Sequence, residues 1–193
     1  MLGNRKKIAG FTLVEMLIVV AISAFLLSTI VIYNRRSEAN LLVLREQTRL
    51  VNTILRAKSL TLQKFNQPEI PQGKICGYGV HFIFNTIRPG YQGELGYILF
   101  QDLVSDPLAS CDTSDHAYSG STEDVSIITI DKALKFGLSP IGGSSIVDLV
   151  FIPPDPKVQF ENNQSQSLII VSIADDSYSR SVSVNSAGQI SAN

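Results

Sequence analysis

The chain has no tryptophan, only two cysteines and two histidines, and charged residues make up just 17% of its 193 positions. Ser-rich stretches with only two histidines do not make a catalytic triad, and neither G-x-S-x-G, H-E-x-x-H nor a phosphate loop occurs. Gly142-Gly143-Ser-Ser is followed by Ile-Val-Asp-Leu-Val, which reads as a strand rather than as a helix opening on a phosphate. A formal net charge of −1 excludes the global basic field that nucleic acid selects. The chain reads as a non-enzyme.

Helix breakers are missing from one long stretch. All eight prolines lie at or after Pro68, only Gly3 and Gly10 precede Gly73, and neither residue type occurs from Phe11 to Phe65. From Pro68 onward, Gly, Pro, Ser, Asn and Asp punctuate short β-forming runs. The 45% hydrophobic content is high for a soluble domain and low for a multi-span membrane protein. Two regimes in series follow: one helix, then a β-rich head.

Residues 11–33 form an apolar run with Glu15 as its one ionisable group, long enough for a single bilayer span. A carboxylate placed deep in lipid costs roughly 2.5–3.5 kcal/mol, so Glu15 calls for a purpose. A secretory signal would have a shorter apolar core and a small-residue cut site, for which Ala21-Ile-Ser-Ala24 could pass. Residues 34–65 read as the amphipathic half of the same helix, with a seam of Leu44, Val51, Leu55 and Leu62 and with Leu50, Ile54, Ala57 and Phe65 beside it. Arg45, Glu46, Arg49, Arg56 and Lys64 fall largely off that stripe, and Asn66-Gln67-Pro68 should end it. Arg5, Lys6 and Lys7 favour a cytoplasmic leader and a head outside, although Arg35 and Arg36 on the far side oppose that bias.

A short basic leader ending in Gly10, followed by Phe11-Thr-Leu-Val-Glu15 and an apolar helix, resembles the class III signal sequence of type IV prepilins and type II secretion pseudopilins. The resemblance covers about 25 residues. It implies a leader at 1–10, cut between Gly10 and Phe11 by a prepilin peptidase, and N-methylation of Phe11. It implies that Glu15 is an assembly residue, its carboxylate pairing with the new amine of a neighbouring subunit. The implied partners are other pilin or pseudopilin subunits, the peptidase, an inner-membrane assembly platform, and membrane lipid before assembly. The implied location is the inner membrane, single-pass, and then the fibre. Major pilins often carry a proline within the apolar segment. None occurs here, which leans toward a minor pilin or pseudopilin.

The expected fold is α+β, the long N-terminal helix packing its stripe on one face of an antiparallel sheet formed by residues 66–193. Strand-forming runs are Ile75–Phe84, Gly96–Gln101, Val125–Ile130, Ile146–Ile152, Val158–Phe160, Leu168–Ile173 and Ser181–Val184, with Ile190 in a last short strand. Asn185-Ser-Ala-Gly188 reads as a turn. This ending is similar to that of H-type pseudopilins and FimT-type minor pilins.

Cys76 and Cys111 could form one disulfide in a head outside the cytoplasm. The repeated spacings Cys76-x4-His81 and Cys111-x4-His116 raise zinc as a rival, but an odd interval would turn Cys76 and His81 to opposite faces of a strand. No cofactor is expected. Asp106, Asp112, Asp115, Glu123 and Asp124 make the stretch 106–124 the one candidate for calcium, in a spacing that fits no EF-hand. DNA capture is an alternative role resting on Arg88, Lys132, Lys135, Lys157 and Arg180, which are scattered in sequence. A membrane-anchored β domain that never assembles is the other alternative.

Overall fold

A computed structural model of the chain describes residues 12–65, 74–83, 87–88, 91–92, 95–104, 106, 110–138, 148–155, 157–160, 165–173 and 177–193. The chain divides into two compact units, Met1–Asn40 and Leu41–Asn193. The arrangement is α+β, with an apolar N-terminal helix and antiparallel β-sheets, as in pilins.

Helix α1 runs Leu13–Phe65 without interruption, as the missing glycines and prolines allow. In the first unit, the described side chains from Thr12 to Ile30 are all exposed. Two hydroxyls fall in this apolar stretch. Ser28 donates to the Phe25 carbonyl at 2.7 Å and Thr29 to the Leu26 carbonyl at 2.8 Å, so neither needs water.

In the second unit, eleven strands among the described residues follow α1: β1 (Lys74–Ile83), β2 (Ile87–Arg88), β3 (Tyr91–Gln92), β4 (Gly96–Val104), β5 (Asp124–Thr129), β6 (Leu134–Leu138), β7 (Asp148–Ile152), β8 (Lys157–Phe160), β9 (Gln166–Ile173), β10 (Ser179–Asn185) and β11 (Ile190–Ala192). They make not one sheet but two main ones, ordered β5-β4-β1-β7-β8 and β11-β10-β9-β6, with β2 and β3 as a separate small hairpin. All pairings are antiparallel. Neither β2, β3 nor β6 was expected; the β6 residue Phe136 packs edge-on against Phe82 and Tyr97 with ring centroids 6.2 and 5.9 Å apart. This aromatic cluster ties the second sheet to the first.

One core joins both sheets to the helix: Val43, Leu50, Ile54 and Ala57 from α1, Val80, Phe82, Tyr97 and Leu99 from the first sheet, and Ile169, Val171, Val182 and Val184 from the second. The seam expected at Leu44, Leu55 and Leu62 is corrected by this packing: all three are exposed, while Val51 is half-buried. Glu46, expected off the stripe, is buried and accepts from the Tyr97 hydroxyl at 2.9 Å. Burial raises the Tyr97 pKa, and the neighbouring Glu46 carboxylate raises it further, so the phenol stays a proton donor.

Polar side chains fix the helix on both sheets. Thr61 Oγ1 lies 3.1 Å from the Ala57 carbonyl and 3.3 Å from that of Phe151 in β7, and accepts the Tyr78 N–H of β1 at 3.1 Å. Gln47 Nε2 donates to the carbonyls of Ser181 and Asn193, and Lys58 Nζ to that of Gly188. Gly188 closes the expected Asn185–Gly188 turn at φ +71°, a conformation that costs glycine nothing. In β1, Gly79 leaves room for the Phe100 ring: a Cβ there would lie 2.7 Å from it.

Candidate assembly site and the loop over the sheet

The expected leader, 1–10, and the expected cleavage and methylation sites, Gly10 and Phe11, lie outside the described residues. The helix start next to them is described. Thr12 is the last non-helical residue, and its Oγ1 accepts the backbone N–H of Glu15 at 3.3 Å. Thr12-Leu-Val-Glu15 therefore has the spacing of a capping box, with the threonine at the N-cap and the acid three residues on. The sequence signal for this cap is S/T-x-x-E before an apolar run.

Beyond it, Leu13–Ile30 averages a hydropathy of 2.4 with none of it buried, long and apolar enough to cross a membrane by length and composition. Glu15 is its one ionisable residue. A helix apolar all round has no stable place in water and needs lipid or other helices around it.

In the second unit, the outward side of α1 is also unusual. Leu41, Leu44, Leu55 and Leu62 are exposed on it, together with Arg45, Arg49 and Arg56. Helical spacing puts these on one stripe, which carries no carboxylate. A shallow groove lined by Leu41, Leu44, Arg45, Thr48, Asn52 and Arg56 runs along it.

Over the far face of the first sheet lies the loop 110–123. Cys76 and Cys111 are bonded, S–S 2.07 Å. The expectation that Cys76 and His81 face opposite sides fails for a specific reason. β1 has a bulge at Cys76, between Ile75 and Gly77, which takes Cys76 out of the strand's alternation. Both residues thus reach this one loop: His81 stacks on Tyr118 at 4.6 Å and its Nδ1 sits 2.6 Å from Asp148 Oδ1.

His116, at φ +50°, places Nδ1 2.7 Å from Asp102 Oδ2, while Ser114 Oγ donates to Asp102 Oδ1 at 2.5 Å. The serine therefore points at the acid and not at the imidazole, which is not a nucleophile–base arrangement. With the sulfurs bonded to each other and each imidazole on a different carboxylate, the four residues do not converge as a zinc set.

The acids of the proposed calcium loop are occupied as pins. Asp112 accepts from Ser110, Asp115 from Ala117 N–H and Ser119 Oγ, and Asp124 from the Tyr118 hydroxyl at 2.6 Å. Buried Glu123 accepts the N–H of Leu103 at 3.2 Å and of Ser119 at 2.7 Å. Asp106 is exposed. Among the described residues, no group of three or more His, Cys, Asp or Glu is placed to hold a metal ion. The cations considered for DNA fall on different elements: Arg88 in β2, Lys132 in the turn before β6, Lys135 in β6, Lys157 in β8 and Arg180 in β10.

No curated protein and no solved structure matches the chain. One family model does, the prokaryotic N-terminal methylation motif, at residues 5–31, the stretch that holds Gly10, Phe11, Thr12 and Glu15 and most of the exposed apolar helix. Over those residues the chain carries the class III signal sequence of type IV prepilins and pseudopilins.

Proposed function

We propose that this chain is a structural subunit, a minor pilin or pseudopilin, of a type IV pilus or type II secretion pseudopilus. A prepilin peptidase cuts between Gly10 and Phe11, Phe11 is methylated, and the subunit waits in the inner membrane with its head outside. The observation that carries this reading is the methylation motif running directly into an apolar helix whose only ionisable residue is Glu15. In a bundle of such helices an isolated carboxylate is penalised, and the amine created at Phe11 of a neighbour is the charge that offsets it. In the second unit, the exposed leucines at 41, 44, 55 and 62 offer a further apolar surface for fellow subunits to cover.

The test is mass spectrometry of the N-terminal peptide from protein made in its native membrane. The expected peptide begins at N-methylated Phe11. An intact leader, or a cut near Ala24, overturns the reading and leaves an anchored or secreted β domain.

A further inference from the structure

Among the described residues, the first sheet ends on β5, which pairs with β4 alone. Residues 125–130 read Val-Ser-Ile-Ile-Thr-Ile, with no lysine, arginine or proline, and Val125 and Ile127 are 38% and 45% exposed. Edge strands are ordinarily blunted by such charges, by prolines or by bulges, because their unpaired backbone groups template another strand. Here a single bulge at Val125, between the pairs Ser126–Leu99 and Asp124–Phe100, disturbs only the first turn of the strand, and 126–129 stay in regular register.

The backbone directions follow from the pairing. The Ile130 N–H donates to the Leu95 carbonyl at 3.1 Å, so 128 and 126 also turn their backbone groups toward β4. Ile127 and Thr129 turn theirs outward. The Thr129 carbonyl confirms the direction, since it accepts from the Arg49 guanidinium at 3.1 Å instead of from a strand. Its second lone pair remains available to another donor.

We infer that β5 is a pairing edge for β5 of a second copy, joined antiparallel across a two-fold axis. The segment is complementary to itself. Ile127 placed opposite Thr129 of the other copy lets each pair exchange both backbone hydrogen bonds, and sets β-branched side chains against each other twice. No charge in 125–130 opposes its own copy, and Asp124 just before it is turned to the Tyr118 hydroxyl. An isologous contact of this kind closes on itself as a pair. Arg49 is the α1 residue that reaches this edge, and the pairing uses neither the apolar stretch Leu13–Ile30 nor Glu15, so it stands independently of the fibre reading.

The experiment is backbone amide exchange, resolved by residue, on the full chain in detergent, in concentrated and in dilute solution, with mass by light scattering alongside. The expected result is a two-chain mass when concentrated, with the Ile127 and Thr129 amides protected about ten-fold over dilute solution. Ile127→Lys should abolish both, and Ala187→Lys, in the exposed turn before Gly188, should abolish neither. If Ile127→Lys fails to fold, the concentration dependence of the wild-type amides decides alone. A one-chain mass overturns the inference, and so does a two-chain mass in which these amides exchange equally fast at both concentrations, which would assign association to the helix.

Discussion

Thr12 Oγ1 accepts the backbone N–H of Glu15, so the residue that carries the one charge of the apolar helix is also the residue that receives its cap. The two roles separate by mutation, because the cap uses a backbone group that any residue supplies. Glu15→Leu should leave leader processing and helix start intact and block incorporation into fibres. Thr12→Val should weaken the helix start by about 1 kcal/mol and leave incorporation largely intact. Pull-down of the variants with sheared fibres checks both. Normal incorporation of Glu15→Leu would remove the assembly role.

The disulfide joins residues 35 apart in sequence, and closing such a loop stabilises by about 3–4 kcal/mol through the unfolded chain. Replacing both cysteines by serine should lower stability by that order. The loop should nevertheless stay in place in the native state, because the Tyr118 N–H on Asp148, the His116–Asp102 contact and the Glu123 bonds also hold it. With no tryptophan in the chain, near-ultraviolet circular dichroism of the tyrosines during thermal unfolding is the suitable probe.

The helix, the two regimes and most strands were legible because each rests on local pattern: an unbroken run without Gly or Pro, then β-forming segments between turn residues. What was missed depends on partners distant in sequence. Glu46 looks like a solvent residue until Tyr97, in a strand 51 positions later, supplies its donor. The face of α1 was misassigned because α1 is apolar on two sides. Leu44, Leu55 and Leu62 make as good a stripe as Val43, Leu50 and Ile54, and only the sheets decide which is buried. Leu134-Lys-Phe-Gly-Leu138 carries a lysine and a glycine and reads as a poor strand, yet Phe136 in its centre finds Phe82 and Tyr97. At the candidate assembly site, Gly10, Phe11 and Glu15 are legible as a motif, and the cap from Thr12 is legible as the S/T-x-x-E spacing before an apolar run.

Thr61 serves three backbone groups at once while fully buried, which makes its hydroxyl the test of how the helix is fixed to the first sheet. Thr61→Val keeps the shape and takes the acceptor from the part-buried Tyr78 N–H, so a loss of about 1 kcal/mol is expected. Thr61→Ser should recover most of it. If valine is tolerated as well as serine, the hydroxyl is not what holds the helix there.

Glu123 gives the second unit a specific dependence on pH. Burial pushes its carboxyl above the ordinary range, and the nearby Asp102 and Asp115 charges add to this, while the Ser119 and Leu103 N–H groups partly counter it. The native state therefore holds this proton more tightly than the unfolded chain does. Its contribution to stability is fully present below the ordinary carboxylate pKa and is lost as pH rises through the raised native value. Thermal unfolding of the full chain over that window should show a fall in stability with rising pH. In Glu123→Gln the group cannot ionise, so that fall should flatten. The amide has one acceptor for two N–H donors, so the variant should also lose about 1 kcal/mol at every pH. The two effects are separable, since one is an offset and the other a slope. A variant with the offset but the wild-type slope would show that other carboxylates carry the pH dependence.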